Sequence, residues 1–217
     1  MDLKYAIPLE KLKFCPDRPK RTRRSCLKDY DNGKYLAVSK IDGYNLMMCN
    51  DDGEIETYSR TWKHLPVCQE IKDLWKELDI PNHSVINCEW MKFRAGSDEF
   101  KYDGIECVYL LSPYVMDGLF VGHLPYADRR QWLESLGIPM DDLSLQPSQI
   151  TSRLILPALA ESDFESFFDL HTRVPRTEGL VLCKRDGRLV ANQDDRAETK
   201  DMLRVKWRDG DAGRTEV

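Results

Sequence analysis

The segment Lys40-Ile41-Asp42-Gly43-Tyr44-Asn45 sets a lysine in a tight turn between two β-prone runs, Tyr35-Leu36-Ala37-Val38 and Tyr44-Asn45-Leu46-Met47-Met48. Strand-turn-strand geometry would hold the amine rigidly at the mouth of a sheet. Gly43 would let a ligand approach the backbone closely, as a nucleophile acting on phosphorus requires. Alone, Lys-x-Asp-Gly carries little weight, because Asp-Gly is a common hairpin turn. Its company matters more. In chain order there follow Ser59-Arg60, Cys88-Glu89-Trp90, Glu178-Gly179-Leu180-Val181-Leu182 and Leu203-Arg204-Val205-Lys206-Trp207, each on a stretch that reads as strand. Arg204 and Lys206 alternate along one of these stretches and so share a face.

These residues need a mixed scaffold to position them. Asn50-Asp51-Asp52-Gly53 marks a turn into Ile55 to Ser59, so the region from Tyr35 to Ser59 reads as an antiparallel meander. Further strands are expected at Ser84 to Trp90, Ile105 to Leu111, Glu178 to Cys183 and Met202 to Trp207. Helices are expected at Leu65 to Leu78, Tyr126 to Leu136 and Ser162 to Leu170, where apolar residues recur at three- and four-residue spacing and Ser162 or Asp163 can cap the last. The fold class is therefore α+β, antiparallel sheets with helices packed outside. No repeat or low-complexity tract interrupts it.

Composition excludes several other classes. Of 217 residues, 41% are hydrophobic and 32% charged, which suits a globular core rather than a disordered chain or a membrane protein. No run approaches the ~20 apolar residues of a membrane span, and no apolar stretch follows Met1. Seven cysteines form no Cys-x-x-Cys pair, and the four histidines show no helical metal spacing, so a zinc site or disulfide framework is not expected. A reducing intracellular compartment, cytoplasm or nucleus, fits best. The net charge of −5 hides one basic run within residues 15–30: Arg18, Lys20, Arg21, Arg23, Arg24 and Lys28. Nucleic acid would explain it, and so would a solvated loop.

The five motifs, in this order, resemble the covalent nucleotidyltransferase superfamily of polynucleotide ligases and RNA capping enzymes, from about Tyr35 to the C-terminus. The resemblance implies a single adenylation domain over residues 1–217, with the basic segment preceding its core. It makes Lys40 the nucleophile that forms a lysyl-AMP phosphoramidate with ATP. A nucleophilic amine must be neutral at attack, which nearby cations and desolvation favour. Asp42, Gly43 and Asn45 complete the nucleotide-binding turn. Glu89 would accept hydrogen bonds from ribose, and Tyr109 would cover one face of adenine. Arg204 and Lys206 would contact the α-phosphate. Glu178 would hold Mg2+, a hard cation that prefers carboxylate oxygen. Arg60, with Lys63 and the basic residues Arg21, Arg23 and Arg24, would bind the polynucleotide, Arg60 at a 5′-phosphate.

Glu178-Gly179 resembles ligases, where capping enzymes usually carry Asp-Gly, although Val205-Lys206-Trp207-Arg208 is close to the capping Lys-Trp-Lys. Asn45 replaces the arginine usual in DNA ligases, and Gly43-Tyr44-Asn45 looks like several RNA ligases. Tyr58-Ser59-Arg60, the Arg129-Arg130-x-x-Leu133-Glu134 helix and the ending Lys206-Trp207-Arg208-Asp209-Gly210-Asp211-Ala212 resemble DNA ligases instead. The leading expectation is an ATP-dependent DNA ligase, a monomer acting on nicked or end-to-end nucleic acid in replication or repair, with no membrane partner. An RNA ligase is the alternative, followed by a capping-type guanylyltransferase or a non-catalytic nucleic-acid-binding relative. In DNA ligases an oligonucleotide-binding (OB) barrel begins after Asp-Ala. None is expected before Val217, so the chain reads as an adenylation domain without its barrel or as a minimal enzyme.

Overall fold

The computed structural model describes residues 18–91, 104–190 and 197–207. Two sheets carry the architecture. The first has the order β1-β11-β10-β2-β9, formed by Arg18–Arg21 (β1), Glu198–Lys206 (β11), Thr177–Lys184 (β10), Tyr35–Ile41 (β2) and Leu159–Ala160 (β9). The second has the order β4-β3-β5-β6-β7, formed by Glu54–Ser59 (β4), Tyr44–Asp51 (β3), Ser84–Met91 (β5), Cys107–Met116 (β6) and Leu119–Phe120 (β7), with Leu154–Ile155 (β8) beside β6. Most pairings are antiparallel, as expected, but β1 with β11 and β6 with β8 are parallel, so both sheets are mixed.

Each sheet buries one face under helices and turns the other toward the gap between them. Phe164–His171 (α4) places Phe164, Phe168 and His171 on one side, against the Leu180, Leu182 and Val205 face of the first sheet, with Asp163 accepting from Ser166 N–H at its N-cap. Gln69–Lys76 (α2) packs Ile71 and Trp75 on the second sheet through Leu46, Ile86 and Leu110. Tyr126–Ser135 (α3) contributes Leu133 to the same cluster. Such alternation, with residues i and i+2 on one face, lets a strand feed a core on one side and a cavity on the other.

Several boundaries differ from expectation. The helix begins at Gln69 rather than Leu65, because Leu65 pairs back on β4: its N–H donates to Thr57 O at 2.9 Å and its carbonyl accepts from the Thr57 hydroxyl at 2.6 Å. Strand β6 runs beyond Leu111, with Pro113 tolerated at a register irregularity opposite Ile86. Lys40 lies inside β2, paired with Gly179, so the turn proper is Asp42-Gly43 and the amine is held by a strand. The basic run is not a loop. After β1 comes a 3-10 turn at Arg24–Cys26 and the short helix Leu27–Tyr30 (α1), anchored by fully buried Leu27.

Candidate active site

The ends of β2, β10 and β11 meet in one row. Lys40 stands opposite Gly179 and Gly179 opposite Lys206, while Trp207 N–H donates to Glu178 O at 3.1 Å and ties the start of β10 to the end of β11. Close packing here demands glycine. Gly179 has φ of +142°, and a Cβ on it would lie 1.9 Å from Val205 O. The row gathers Lys40, Glu178 and Lys206: one Glu178 oxygen contacts Lys40 Nζ, and the other accepts from Lys206 Nζ at 2.7 Å. Burial pushes the Glu178 carboxyl up, but the two ammonium groups outweigh it and hold it below the usual carboxylate range.

The second sheet supplies the opposing wall. Gly43 N–H donates to Glu89 Oε1 at 3.2 Å, and a Cβ on Gly43 would meet Trp90 O at 2.7 Å, so the turn fits only glycine. Burial pushes the Glu89 carboxyl up to about 7. Lys40 and the Gly43 N–H oppose that rise, and Glu178 adds to it. Asn45 pairs across the ladder with Glu89, and its amide donates to Asn87 Oδ1 at 2.8 Å and Cys88 O at 3.4 Å.

Between the sheets lies a cavity of about 280 Å³ whose apolar walls include Val38, Val181 and Leu111. Its charged lining is lopsided: among the described residues Arg18, Lys40, Arg60, Arg129 and Arg204 face it against the single carboxylate of Glu89. A space between low-dielectric walls with such an excess of cations favours a polyanion that also carries an apolar group. Among the described residues the donor cluster that converges as for a metal, Asp51, Asp52 and His83, sits near the β3–β4 turn and lines no part of this cavity.

The expected residues divide as follows. Lys40, Asn45, Glu89, Arg60 and Arg204 line the cavity, Glu178 and Lys206 complete the row with Lys40, and Asp42 and Gly43 form the turn beside it, where Asp42 N–H donates to Arg176 O at 3.0 Å. Tyr109 is a correction. It is fully buried in a core cluster with Ile41, Met91 and Ile155, so it offers no face to a base; Leu111, two residues on, reaches the cavity instead. Arg24 is turned away as well, bonded to Asp169 on α4 at 2.6 Å and stacked over Phe168. Arg21 pairs with Arg204 in the strand ladder, Arg23 precedes the 3-10 turn, and Lys63 is exposed on the loop after Arg60; none of the three lines the cavity.

Sequence reasoning missed Arg129 and Arg18 as cavity residues. Arg129 is buried and donates to Leu124 O, the Ser112 hydroxyl and Gly187 O. Its signal was present: Tyr126, Arg129, Arg130 and Leu133 fall at helical spacing on one buried face, where an arginine needs polar partners inside. Arg18 had no signal beyond the basic run.

This architecture is the nucleotidyltransferase fold of ATP-dependent polynucleotide ligases. The chain superposes on a mycobacterial DNA ligase D complexed with ATP and MES with a TM-score of 0.65 at 16% identity, over 90% of this chain and 61% of that one. The ATP-dependent DNA ligase of bacteriophage T7 in complex with ATP gives 0.54 at 15% identity, covering 88% and 68%. An archaeal ATP-dependent RNA ligase gives 0.50 at 16%, covering 87% and 47%. The chain thus spans about three-fifths of the DNA ligase D chain it matches. No protein-family model and no curated protein sequence matches it.

Proposed function

We propose that the chain is the nucleotidyltransferase unit of an ATP-dependent polynucleotide ligase, acting on nicked or end-to-end DNA. The observation that carries this reading is the row Lys40, Glu178 and Lys206 at a cation-rich cavity, with Glu89 on the facing wall. Arg204 stands two residues before Lys206 on the same strand face and lines the same cavity. ATP as the nucleotide is supported by the ATP complexes among the structural neighbours.

The chemistry assigned to these residues is covalent catalysis. Lys40 Nζ gives its proton to solvent water, parts from Glu178 and attacks the α-phosphorus of ATP. A P–N bond forms as the P–O bond to pyrophosphate breaks, and the phosphoramidate conserves the energy of the anhydride. A polynucleotide 5′-phosphate then displaces Lys40 from AMP, and a 3′-hydroxyl displaces AMP to close the phosphodiester. Lys206 and Arg204 offset charge around the α-phosphate, Glu89 accepts from ribose hydroxyls, and Val38, Val181 and Leu111 enclose the base. Magnesium, the cation the resemblance implies, fits the donors present: Glu178 would offer it an ionised hard-oxygen ligand. When bound, magnesium would neutralise charge on the transferring phosphoryl group.

An RNA substrate is the second reading, favoured by Asn45. Its side chain is bonded to Asn87 and Cys88 O on the neighbouring strand and presents no cation where DNA ligases usually have arginine. Intact mass after incubation with ATP or GTP plus magnesium tests the first step. The wild type should gain one AMP from ATP, and Lys40→Ala none. A gain of GMP would indicate capping chemistry, and an alanine variant that still takes the label would exclude Lys40 as nucleophile. Adenylated protein offered nicked DNA and nicked RNA then decides between the substrates.

A further inference from the structure

Strand β1 brings a cation into the cavity from outside the five motifs. Arg18 opens the strand, and its N–H donates to Ala197 O at 2.8 Å, fixing its backbone beside the start of β11. The ladder then slips: Pro19 faces Thr199 but Lys20 faces Leu203, so β11 bulges by three residues. Within that bulge Asp201 turns to accept from Arg188 N–H at 3.0 Å, while Met202 joins the cavity lining. Bulges of this kind re-aim side chains near sites.

Arg18 lines the cavity together with Arg204 of the neighbouring strand and Arg60, which follows the end of β4. Since β1 and β4 are the edge strands of different sheets, Arg18 and Arg60 approach the cavity from separate sides of the fold. Among the described residues the Nε of Arg18 is shielded from solvent and has no hydrogen-bond partner. A shielded donor on a charged group is costly when unpaired, and a ligand oxygen would remove that cost. Among the described residues Glu89 is the one carboxylate lining the cavity; it belongs to the middle of the other sheet and accepts from Gly43. A guanidinium fork is the side chain best suited to grip a phosphate through two donors.

We propose that Arg18 is a phosphate-binding residue, holding a phosphoryl group at the edge of the cavity with Arg60 and Arg204. The assignment rests on the ligase reading for the source of that phosphate, either the terminal phosphates of ATP or the 5′-phosphate of the acceptor strand.

The test compares wild type, Arg18→Met and Arg18→Lys. Equilibrium binding of ATP and inorganic pyrophosphate is measured, and then transfer of AMP from adenylated protein to strands ending in 5′-phosphate. Arg18→Met should weaken one of these by about tenfold or more, the scale of a lost charge-assisted bond, and Arg18→Lys should restore part of it. Loss of ATP and pyrophosphate affinity assigns the nucleotide phosphates. A raised KM for the 5′-phosphorylated strand, with nucleotide binding intact, assigns the acceptor. All three ligands unchanged within twofold would overturn the proposal. So would a lowered Tm accompanied by equal weakening of 5′-phosphate and 5′-hydroxyl strands, which is the signature of a structural role. A wild type that binds ATP and pyrophosphate yet gains no AMP would sink the ligase reading while the binding data still judge Arg18. A wild type that binds neither overturns both.

Discussion

Asp141 and Glu178 are two buried carboxylates that meet basic side chains in opposite ways. Asp141 takes the Arg176 guanidinium side-on, through Nε at 3.1 and 3.2 Å and Nη2 at 2.8 Å; Nη1 also donates to Leu145 O and Nη2 to Asp142 O, each at 2.7 Å. That pair is charge-balanced and sealed, with side chains 1% and 2% exposed. Glu178 instead faces two ammonium groups, and all three side chains stay 12% to 21% exposed in the row at the ends of β2, β10 and β11. A charge-balanced buried pair holds a structure, whereas ionic groups gathered at an opening can engage a charged ligand. The two regions are coupled through the backbone: Arg176 lies two residues before Glu178, and its carbonyl accepts the Asp42 N–H of the Lys40 turn.

The same change of cation to methionine should separate them. Lys40→Met removes the proposed nucleophile, so adduct formation measured by mass should vanish. Glu178 keeps Lys206, and the midpoint of denaturation should move little. Arg176→Met strands a buried charge on Asp141, which costs about 3–5 kcal/mol. For a chain of this size that lowers Tm by roughly 10 °C. A stable Arg176→Met protein with normal adduct formation would remove the distinction between clamp and site.

A smaller effect comes from a second sealed contact behind Lys40. His171 is fully buried, with Nδ1 at 2.6 Å from Phe167 O and Nε2 at 2.6 Å from the Ser39 hydroxyl. A carbonyl can only accept, so Nδ1 carries the proton and Nε2 accepts from Ser39, the residue beside Lys40. Ser39→Ala leaves that nitrogen unpaired and should cost about 1–3 kcal/mol in a denaturant titration at neutral pH. Burial also holds His171 below its ordinary 6.5. The unfolded chain takes up the proton first, so stability falls as pH drops through that value. Equal denaturation midpoints for Ser39→Ala and wild type would show that the contact contributes nothing.

What the sequence revealed follows the same division. Strand cores and the order of the motifs were legible, because strand periodicity and the glycines at 43 and 179 answer to local geometry. Cavity positions that depend on two sheets meeting were not. Tyr109 and Leu111 sit on one strand, and only the register irregularity near Asn87 decides which side chain enters the cavity. The Asp141–Arg176 pair joins positions 35 apart through a loop, and no local pattern announces such a contact. Arg18 owes its position to the three-residue bulge in β11, a feature with no signature in a basic run.

Glu89 is the intermediate case, a carboxylate that accepts from a backbone N–H, that of Gly43. Its carboxyl lies near 7 in the fold against 4.5 for the free group, because burial outweighs the help from Lys40. Between those values the folded chain binds the extra proton, so this group makes stability fall as pH rises from about 4.5 to 7. Glu89→Gln removes that liability while an oxygen remains for Gly43. The variant's Tm should exceed that of wild type above pH 7, and the gap should close toward pH 5. A gap that does not change with pH would mean that Glu89 is ionised throughout. Hydrogen bonds donated to a carboxylate favour its charged form. If ribose hydroxyls supply them, wild type should therefore bind ATP several-fold more tightly above pH 7 than below it, and Glu89→Gln should bind with an affinity that pH leaves alone.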